Sequence, residues 1–463
     1  RKNNRRNPLS GSTPLAEKRF FLPTSRQTGG TESGEKVMRS ATLCIDNPEI
    51  ISPKTGFFND YAKRVLLNQL NNIQHGELII HDGKEQHIFG QPDLQLSNSI
   101  VITIHDRAFY TSLLLNGALG GGEAYIKGLW SCKDLTGIVE LFICNRRYLE
   151  SSALGRRWFA RPLQLVQRLL RRNTLKGSRR NIEAHYDLGN DLFKLFLDRT
   201  MMYSCGIFHS DKTTLQEASE AKLERICQKL QLKPSDHVLE IGTGWGGFAL
   251  YAATHYGCRV TTTTISKEQH EYACQRVREA GLEDRVSLLF DDYRELQGKY
   301  DKLVSIEMIE AIGHQYFDTY FKKCTELLKP DGMMLLQSIT IADQRYPTAK
   351  RSIDYIQRFI FPGGCLPSVS VLSDVIARNT DMRVFHLEDI GPHYATTLRL
   401  WRERFFENIE KVRQLGYPER FIRMWEYYFC YCEAGFRRQS IGTVQLLLTK
   451  PEALRQPLTS TDY

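Results

Sequence analysis

Apolar positions follow two patterns along the chain. From residue 181 onward, short apolar runs alternate with longer stretches of mixed polarity: His237 to Ile241, Cys258 to Ile265, Val286 to Phe290, Lys302 to Ile306, Met333 to Ile339 and Thr443 to Leu448 are strand-length. Helix-length segments separate most of them, one starting at Lys267. Strands spaced by helices predict an α/β fold with a doubly wound, mostly parallel sheet. Ligands in such sheets bind beyond the carboxyl ends of the strands. A smaller α/β unit is predicted over 56–150. Its strands are Gly76 to Asp82, closed by an Asp82-Gly83 turn, and Ser99 to Ile104. A helix over Asp106 to Leu115 and a flexible Gly-rich turn over Gly117 to Gly122 follow.

Two segments fit neither pattern. Residues 1–55 are rich in Ser, Thr, Gly, Asn and basic residues without a sustained period, and a disordered basic leader is expected there. Between 151 and 180 stand Arg156, Arg157, Arg161, Arg168, Arg171, Arg172, Lys176, Arg179 and Arg180, interleaved with Trp158, Phe159, Leu163, Leu165, Val166, Leu169 and Leu170. A basic amphipathic linker helix there could lie in a membrane interface, its cations meeting lipid phosphates, or pack on the protein itself. The predicted organisation is therefore 1–55 leader, 56–150 small domain, 151–180 linker helix and 181–463 main domain.

Composition narrows this picture. A length of 463 residues suits two or three domains, and 41% hydrophobic with 25% charged residues is the balance of a globular protein. No run approaches the ~20 apolar residues that span a bilayer. Eleven cysteines, an odd number, with no CxxC pair near another, argue against a disulfide framework and a structural metal site, and for a cytoplasmic setting. The net charge of +9 fits a polyanionic partner, either nucleic acid or an anionic membrane surface.

The first strand of the main domain runs into Glu240-Ile241-Gly242-Thr243-Gly244-Trp245-Gly246-Gly247. Glycines at a strand-to-helix turn let the backbone approach a ligand closely. Glu240 ahead of them fits the E-x-G-x-G loop of class I methyltransferases better than a dinucleotide fingerprint. Thr264, Ser266 and Gln269 stand where dehydrogenases place an acid on the ribose. S-adenosylmethionine is the expected cofactor.

With these residues in view, the sequence resembles the cyclopropane fatty acid synthase family, which includes the mycolic acid cyclopropane synthases. The matching blocks are Ala184 to Phe193, Met202 to Gly206, Val238 to Phe248, Glu310 to Gly313, Ile360 to Pro367 and His393 to Leu398. The resemblance implies a class I methyltransferase Rossmann-like sheet with a smaller amino-terminal α/β domain of a lipid-binding, dimer-forming type. It implies cofactor contacts at Tyr203, Ser204, Glu240, Gly242, Gly244, Gly246, Thr264 and Gln269, with Asp292 and Tyr293 at the adenine. It also implies a bound bicarbonate ion held by Cys205, Glu310, Gln337, the Ile339 backbone and Tyr394. The partner implied is an unsaturated phospholipid at the inner face of an anionic membrane, with the protein a peripherally bound homodimer.

The chemistry explains such a set. An alkene has no acidic proton for a base to remove, so an alkylating cofactor must drive the reaction, and catalysis is largely alignment in a dry pocket. Methyl transfer leaves a carbocation, which aromatic faces and an anion stabilise. Ring closure then needs a base for one proton. Two departures from the family's pattern stand out: Gln337 and Ala311 replace histidines. Gln337 can donate a hydrogen bond but cannot carry a proton. They put ring closure in question more than methyl transfer, and leave open an acyl-chain methyltransferase that does not close the ring. A non-catalytic lipid-binding relative and a small-molecule N-methyltransferase are further alternatives. Ile306 to Glu310 lacks the Pro-Pro-Tyr-type loop of base-modifying methyltransferases, so nucleic acid is not the expected partner.

Overall fold

Helix starts and strand runs in the sequence account for the elements. The computed structural model describes residues 56–96, 98–150 and 188–455. The expected leader, the basic segment 151–180 and the Ala184 to Asp187 end of the first matching block lie outside the described residues. The amino-terminal unit holds α1 (Gly56–Leu70), β1 (Gly76–Asp82), β2 (Glu85–Gln91), β3 (Ile100–Ile104), α2 (Ala108–Ile126), β4 (Trp130–Cys132), α3 (Leu135–Cys144) and α4 (Arg146–Glu150). Its sheet order is β2-β1-β3-β4. β1 and β3 alternate buried with more exposed residues, as a one-faced sheet requires.

The flexible turn expected over Gly117 to Gly122 is instead part of α2, which breaks only at Gly117 (φ 58°, ψ −140°). These glycines serve close packing. A Cβ on Gly120 would stand 2.0 Å from the Ser112 carbonyl oxygen, and one on Gly122 would stand 2.7 Å from the Tyr355 ring.

The main unit begins with α5 (Asn190–Phe196) and α6 (Leu215–Leu230). Thr214 and Glu217 close a capping box at the start of α6. Then come β5 (His237–Ile241), α7 (Gly247–Tyr256), β6 (Arg259–Thr263), α8 (Lys267–Glu279), β7 (Val286–Leu289) and β8 (Tyr300–Ile306). They are followed by α9 (Ile309–Ile312), α10 (Phe317–Leu327), β9 (Leu328–Ile341), α11 (Tyr346–Ala349) and α12 (Val369–Asn379). The chain continues with β10 (Arg383–Asp389), α13 (Gly391–Glu407), α14 (Ile409–Gln414), α15 (Glu419–Arg437) and β11 (Ile441–Thr449). The sheet order is β10-β11-β9-β8-β5-β6-β7. The five strands from β9 to β7 are parallel; β11 runs antiparallel to β9 and β10 antiparallel to β11. The strand order reverses between β5 and β8, and a crevice opens beyond such a point.

Helix α15 joins the two units. Arg423 donates to the carbonyls of Tyr125 (2.7 Å) and Trp130 (3.0 Å), and the Tyr125 hydroxyl donates to Glu426 (2.6 Å). Glu433, fully buried, accepts from Arg402 (2.9 Å) and from Arg437, and Arg437 and Arg438 also pair with Glu140 of α3 at 2.9 and 2.6 Å. Removing Glu433 takes the carboxylate from the partly buried Arg402, whereas Arg437 and Arg438 keep Glu140. Glu433→Ala is expected to lower unfolding free energy by about 1–3 kcal/mol, measured by urea denaturation. A loss below ~1 kcal/mol would mean that water reaches the cluster.

Candidate active site

One cavity of about 920 Å³ runs from the glycine turn after β5 into the amino-terminal unit. Its main-domain end is lined by residues that follow the parallel strands; its other end is apolar, with Leu66, Leu70, Ile80, Phe109, Ile138 and Val139 on the wall.

At the cofactor end, Gly242 (φ 105°) and Gly244 (φ 53°) take backbone conformations that side chains rarely adopt, and both line the cavity. The Gly242 and Thr243 amides donate to the Thr263 carbonyl (3.0 Å each), which fixes the turn on β6. Glu240 lies beneath it, accepting from Thr262 Oγ1 (2.6 Å), and burial pushes its carboxyl up to about 8. Thr264 and Gln269 line the same end, the Thr264 hydroxyl donating to Gln269 Oε1 (2.9 Å). Tyr203, Ser204, Asp292 and Tyr293 line it as well. The Asp292 carboxylate is held by Arg294 (2.6 Å), and the buried Tyr293 hydroxyl has no partner. These groups fit an adenosyl cofactor: a turn open to close approach, polar groups for a ribose and an aromatic ring beside it. Gly246 does not join them. It starts α7 with φ 85°, its absent Cβ 3.3 Å from Ala273 Cβ, a close approach that suits packing between helices.

The second expected set is only partly brought together. Tyr394, Ile339 and Glu310 line the cavity. Cys205 gives it no side chain: its thiol is fully buried, faces the carbonyls of Gly206 (3.2 Å) and Ile390 (3.6 Å), and is pushed up by burial. Gln337 is likewise fully buried behind the wall, at the last parallel pair of β8 and β9, opposite Ile306, and not at the end of its strand.

What gathers these groups is Glu307, which sequence reasoning missed. It follows β8 directly, lines the cavity and has φ 50°. Its carboxylate accepts from the Cys205 amide (3.0 Å), Gln337 Nε2 (2.8 Å) and the Tyr394 hydroxyl (2.6 Å). The remaining expected donor, the Ile339 amide, is taken by Glu310 Oε1, while Glu310 Oε2 is buried without a partner. Every expected donor therefore already serves one of the chain's own carboxylates, and these residues do not fit a bound bicarbonate ion.

A buried chain of polar groups fixes the orientation of the Gln337 amide. Lys229 Nζ donates to Gln445 Oε1 (2.8 Å), which turns Gln445 Nε2 toward Gln337 Oε1 (3.0 Å), and so turns Gln337 Nε2 toward Glu307. A second buried cation, Lys222, donates to Ser204 Oγ (2.7 Å); burial pushes it down to about 8, opposed by the charge of Glu307. The sequence carried a signal for Lys222, which sits on the apolar face of α6 with Leu215, Ala218 and Ile226.

Burial raises both carboxyls at the head of the crevice. Glu310 reaches about 8, with the neighbouring Glu307 charge adding to the rise. Glu307 is raised by burial and held down by Tyr394, Gln337 and the Cys205 amide. The arrangement pairs a protonated acid with a carboxylate ringed by donors. Among the aromatic side chains of α13 and α15, Trp401, Phe405, Trp425 and Phe429 are buried core, whereas Tyr427 and Tyr428 reach the cavity.

Comparison with known proteins bears on the family and the fold. Residues 173–446 match the family described as mycolic acid cyclopropane synthetase. The chain is 38% identical to the tuberculostearic acid methyltransferase UfaA1 of Mycobacterium tuberculosis over 72% of this chain and 79% of that one. It is 38% identical to the cyclopropane-fatty-acyl-phospholipid synthase of Escherichia coli over 75% of this chain and 87% of that one. The crystal structure of mycolic acid cyclopropane synthase CmaA1 with SAH and CTAB superposes with a TM-score of 0.56 at 33% identity, over 59% of this chain and 98% of that one.

The raised carboxyl of Glu310 has a measurable signature. Folded, it keeps its proton to about pH 8; unfolded, it loses it near 4.5. Between those values the folded state binds more protons than the unfolded chain, so this group's contribution to stability falls as pH rises. Glu310→Gln is expected to flatten the decline of Tm between pH 5 and 8 in scanning calorimetry, leaving the share of the other raised carboxyls, Glu240 among them. An unchanged slope would mean that Glu310 is ionised in the fold.

Proposed function

The chain belongs to the mycolic acid cyclopropane synthetase family, and on that basis we propose that it methylates the cis double bond of unsaturated phospholipid acyl chains with S-adenosylmethionine and closes a cyclopropane ring. The observation that carries this reading is that the cavity is polar at the glycine turn and apolar where the amino-terminal unit closes it. An acyl chain entering from the apolar end would bring its double bond to the glycine turn and the two glutamates. S-adenosylmethionine, when bound, supplies an electrophilic methyl group. The chain's own residues do the rest. The Gly242 and Gly244 turn and Gln269 hold the cofactor, the apolar wall excludes water, and Tyr203 and Tyr394 offer aromatic faces to a developing cation.

Phe142 supports a lipid entrance at the end of α3, since it both lines the cavity and is exposed to solvent, and Tyr148 on the following α4 is exposed as well. No helix among the described residues is long and apolar enough to cross a membrane. Peripheral attachment to an anionic cytoplasmic surface, as a homodimer, fits a chain of net charge +9. A second reading, a methyl or methylene branch without a ring, is favoured by the likeness to the tuberculostearic acid methyltransferase.

Incubation with vesicles of unsaturated, partly anionic phospholipid and methyl-labelled S-adenosylmethionine is expected to label the acyl chains. NMR of the isolated chains separates ring from branch, and label found only on headgroups would refute acyl-chain chemistry. Val139→Trp, which fills the apolar wall, is expected to cut turnover roughly tenfold or more while SAH affinity, read by calorimetry, stays unchanged.

A further inference from the structure

Methylating a double bond and then closing a ring, or forming a methylene branch, requires the loss of one proton from the product chain. The donors expected to hold a bicarbonate ion for that purpose are engaged by Glu307 and Glu310. We propose that Glu307 is the built-in base of this enzyme, its side-chain carboxylate doing at the head of the crevice what a bound bicarbonate would otherwise do. The inference rests on the acyl-chain reading above and deepens it.

Geometry favours Glu307 over its neighbour. Oε1 receives two hydrogen bonds, from the Cys205 amide and Gln337 Nε2, and Oε2 receives one, from Tyr394. A carboxylate has about four acceptor positions, so one on Oε2 stays available for a proton. The Lys229–Gln445–Gln337 chain lets Gln337 act only as donor toward Glu307, and an amide N–H can only donate. Both partners of Oε1 therefore demand an unprotonated oxygen. Lys222 lies close enough to contribute a favourable charge. Glu310 is less well supported: Oε1 accepts the Ile339 amide, Oε2 is buried without a partner, and burial with the adjacent charge outweighs its hydrogen bonds and keeps its proton on.

The step balances as follows. The bond from sulfur to the methyl carbon breaks, its electron pair staying on sulfur, and the alkene π pair forms the new carbon–carbon bond. The neighbouring carbon becomes cationic. Glu307 Oε2 takes a proton from the new methyl, and the freed C–H pair closes the ring onto the cation. For a methylene branch, the hydrogen on the methylated carbon first moves with its electron pair to the cationic neighbour; the new methyl then gives a proton to the same oxygen, and the freed C–H pair forms the double bond to the methylated carbon. The proton returns to solvent as product leaves.

The backbone at Glu307 also bears on the test. A φ of 50° is left-handed and costly for a side-chain-bearing residue. Glycine there would relieve that strain and free the three donors together.

Three measurements test the assignment. Wild-type turnover is expected to be unchanged in carbon-dioxide-free buffer, and titration of the lipid-free protein with bicarbonate to show no site. Glu307→Gln should lower turnover by roughly 100-fold or more, with SAH affinity within about threefold. Glu307→Gly, equally slow without added anion, should acquire a bicarbonate site in the lipid-free titration and recover turnover as bicarbonate or formate is added. The proposal is overturned by a wild-type rate that falls when bicarbonate is removed and returns with it, by bicarbonate binding to the wild type, or by a Glu307→Gln variant at near-wild-type rate. The lipid-free titrations involve no acyl substrate. If only the Gly variant binds bicarbonate and yet the wild type labels no acyl chain, the proposed function fails while the carboxylate's place in the ring of donors stands.

Discussion

A carboxylate removed from water must be repaid with hydrogen bonds, and the head of the crevice is built around that demand. Desolvating an ionised acid without partners costs more than a fold of this size has to spare. Glu307 meets the demand with donors from three separate parts of the chain: the Cys205 amide in the loop after α5, Gln337 in β9 and Tyr394 in α13. Those donors are themselves held in place. Tyr394 stacks on Phe436 (4.4 Å between centroids), and Gln337 is oriented through Gln445 by Lys229. The orientation of one amide thus depends on a cation two hydrogen bonds away, behind the sheet.

The second organising feature is the cavity's span across both units. The main sheet supplies the polar end and the smaller unit the apolar end, so neither alone encloses a long ligand. Helix α15 links the two ends. One side carries Trp425 and Phe429 into the aromatic core, and Arg423, Glu426 and Glu433 reach toward the smaller unit. Tyr427 and Tyr428 of the same helix reach the cavity wall, which ties the joint between units to the shape of the site.

Much of this was legible in the sequence. The strand runs of the main domain, the glycine turn and the residues after β6 stand where the alternation of apolar runs put them, and the matching family blocks named the fold. The misses have physical causes. Gly120 and Gly122 read as flexible because composition cannot reveal that Ser112 and Tyr355 leave no room for a side chain. β10 was overlooked because an edge strand with two charged ends and a half-exposed middle carries little pattern. Cys205 and Gln337 were expected to face the ligand, but one contributes a backbone amide and the other stands behind the wall. Glu307 left a trace, as a carboxylate directly after an apolar strand and three residues before Glu310, but nothing in the sequence announced that its backbone would turn left-handed or that three donors would converge on it.

That left-handed turn has an evolutionary consequence. The backbone at 307 suits glycine better than any other residue, and the glutamate codons differ from two of the glycine codons at a single base. A lineage can therefore gain or lose a resident anion here by one point mutation, without remodelling the strand before it or the short helix after it. Dependence on a dissolved ion is the kind of trait that such a site can exchange quickly, while the lipid-holding architecture around it stays the same.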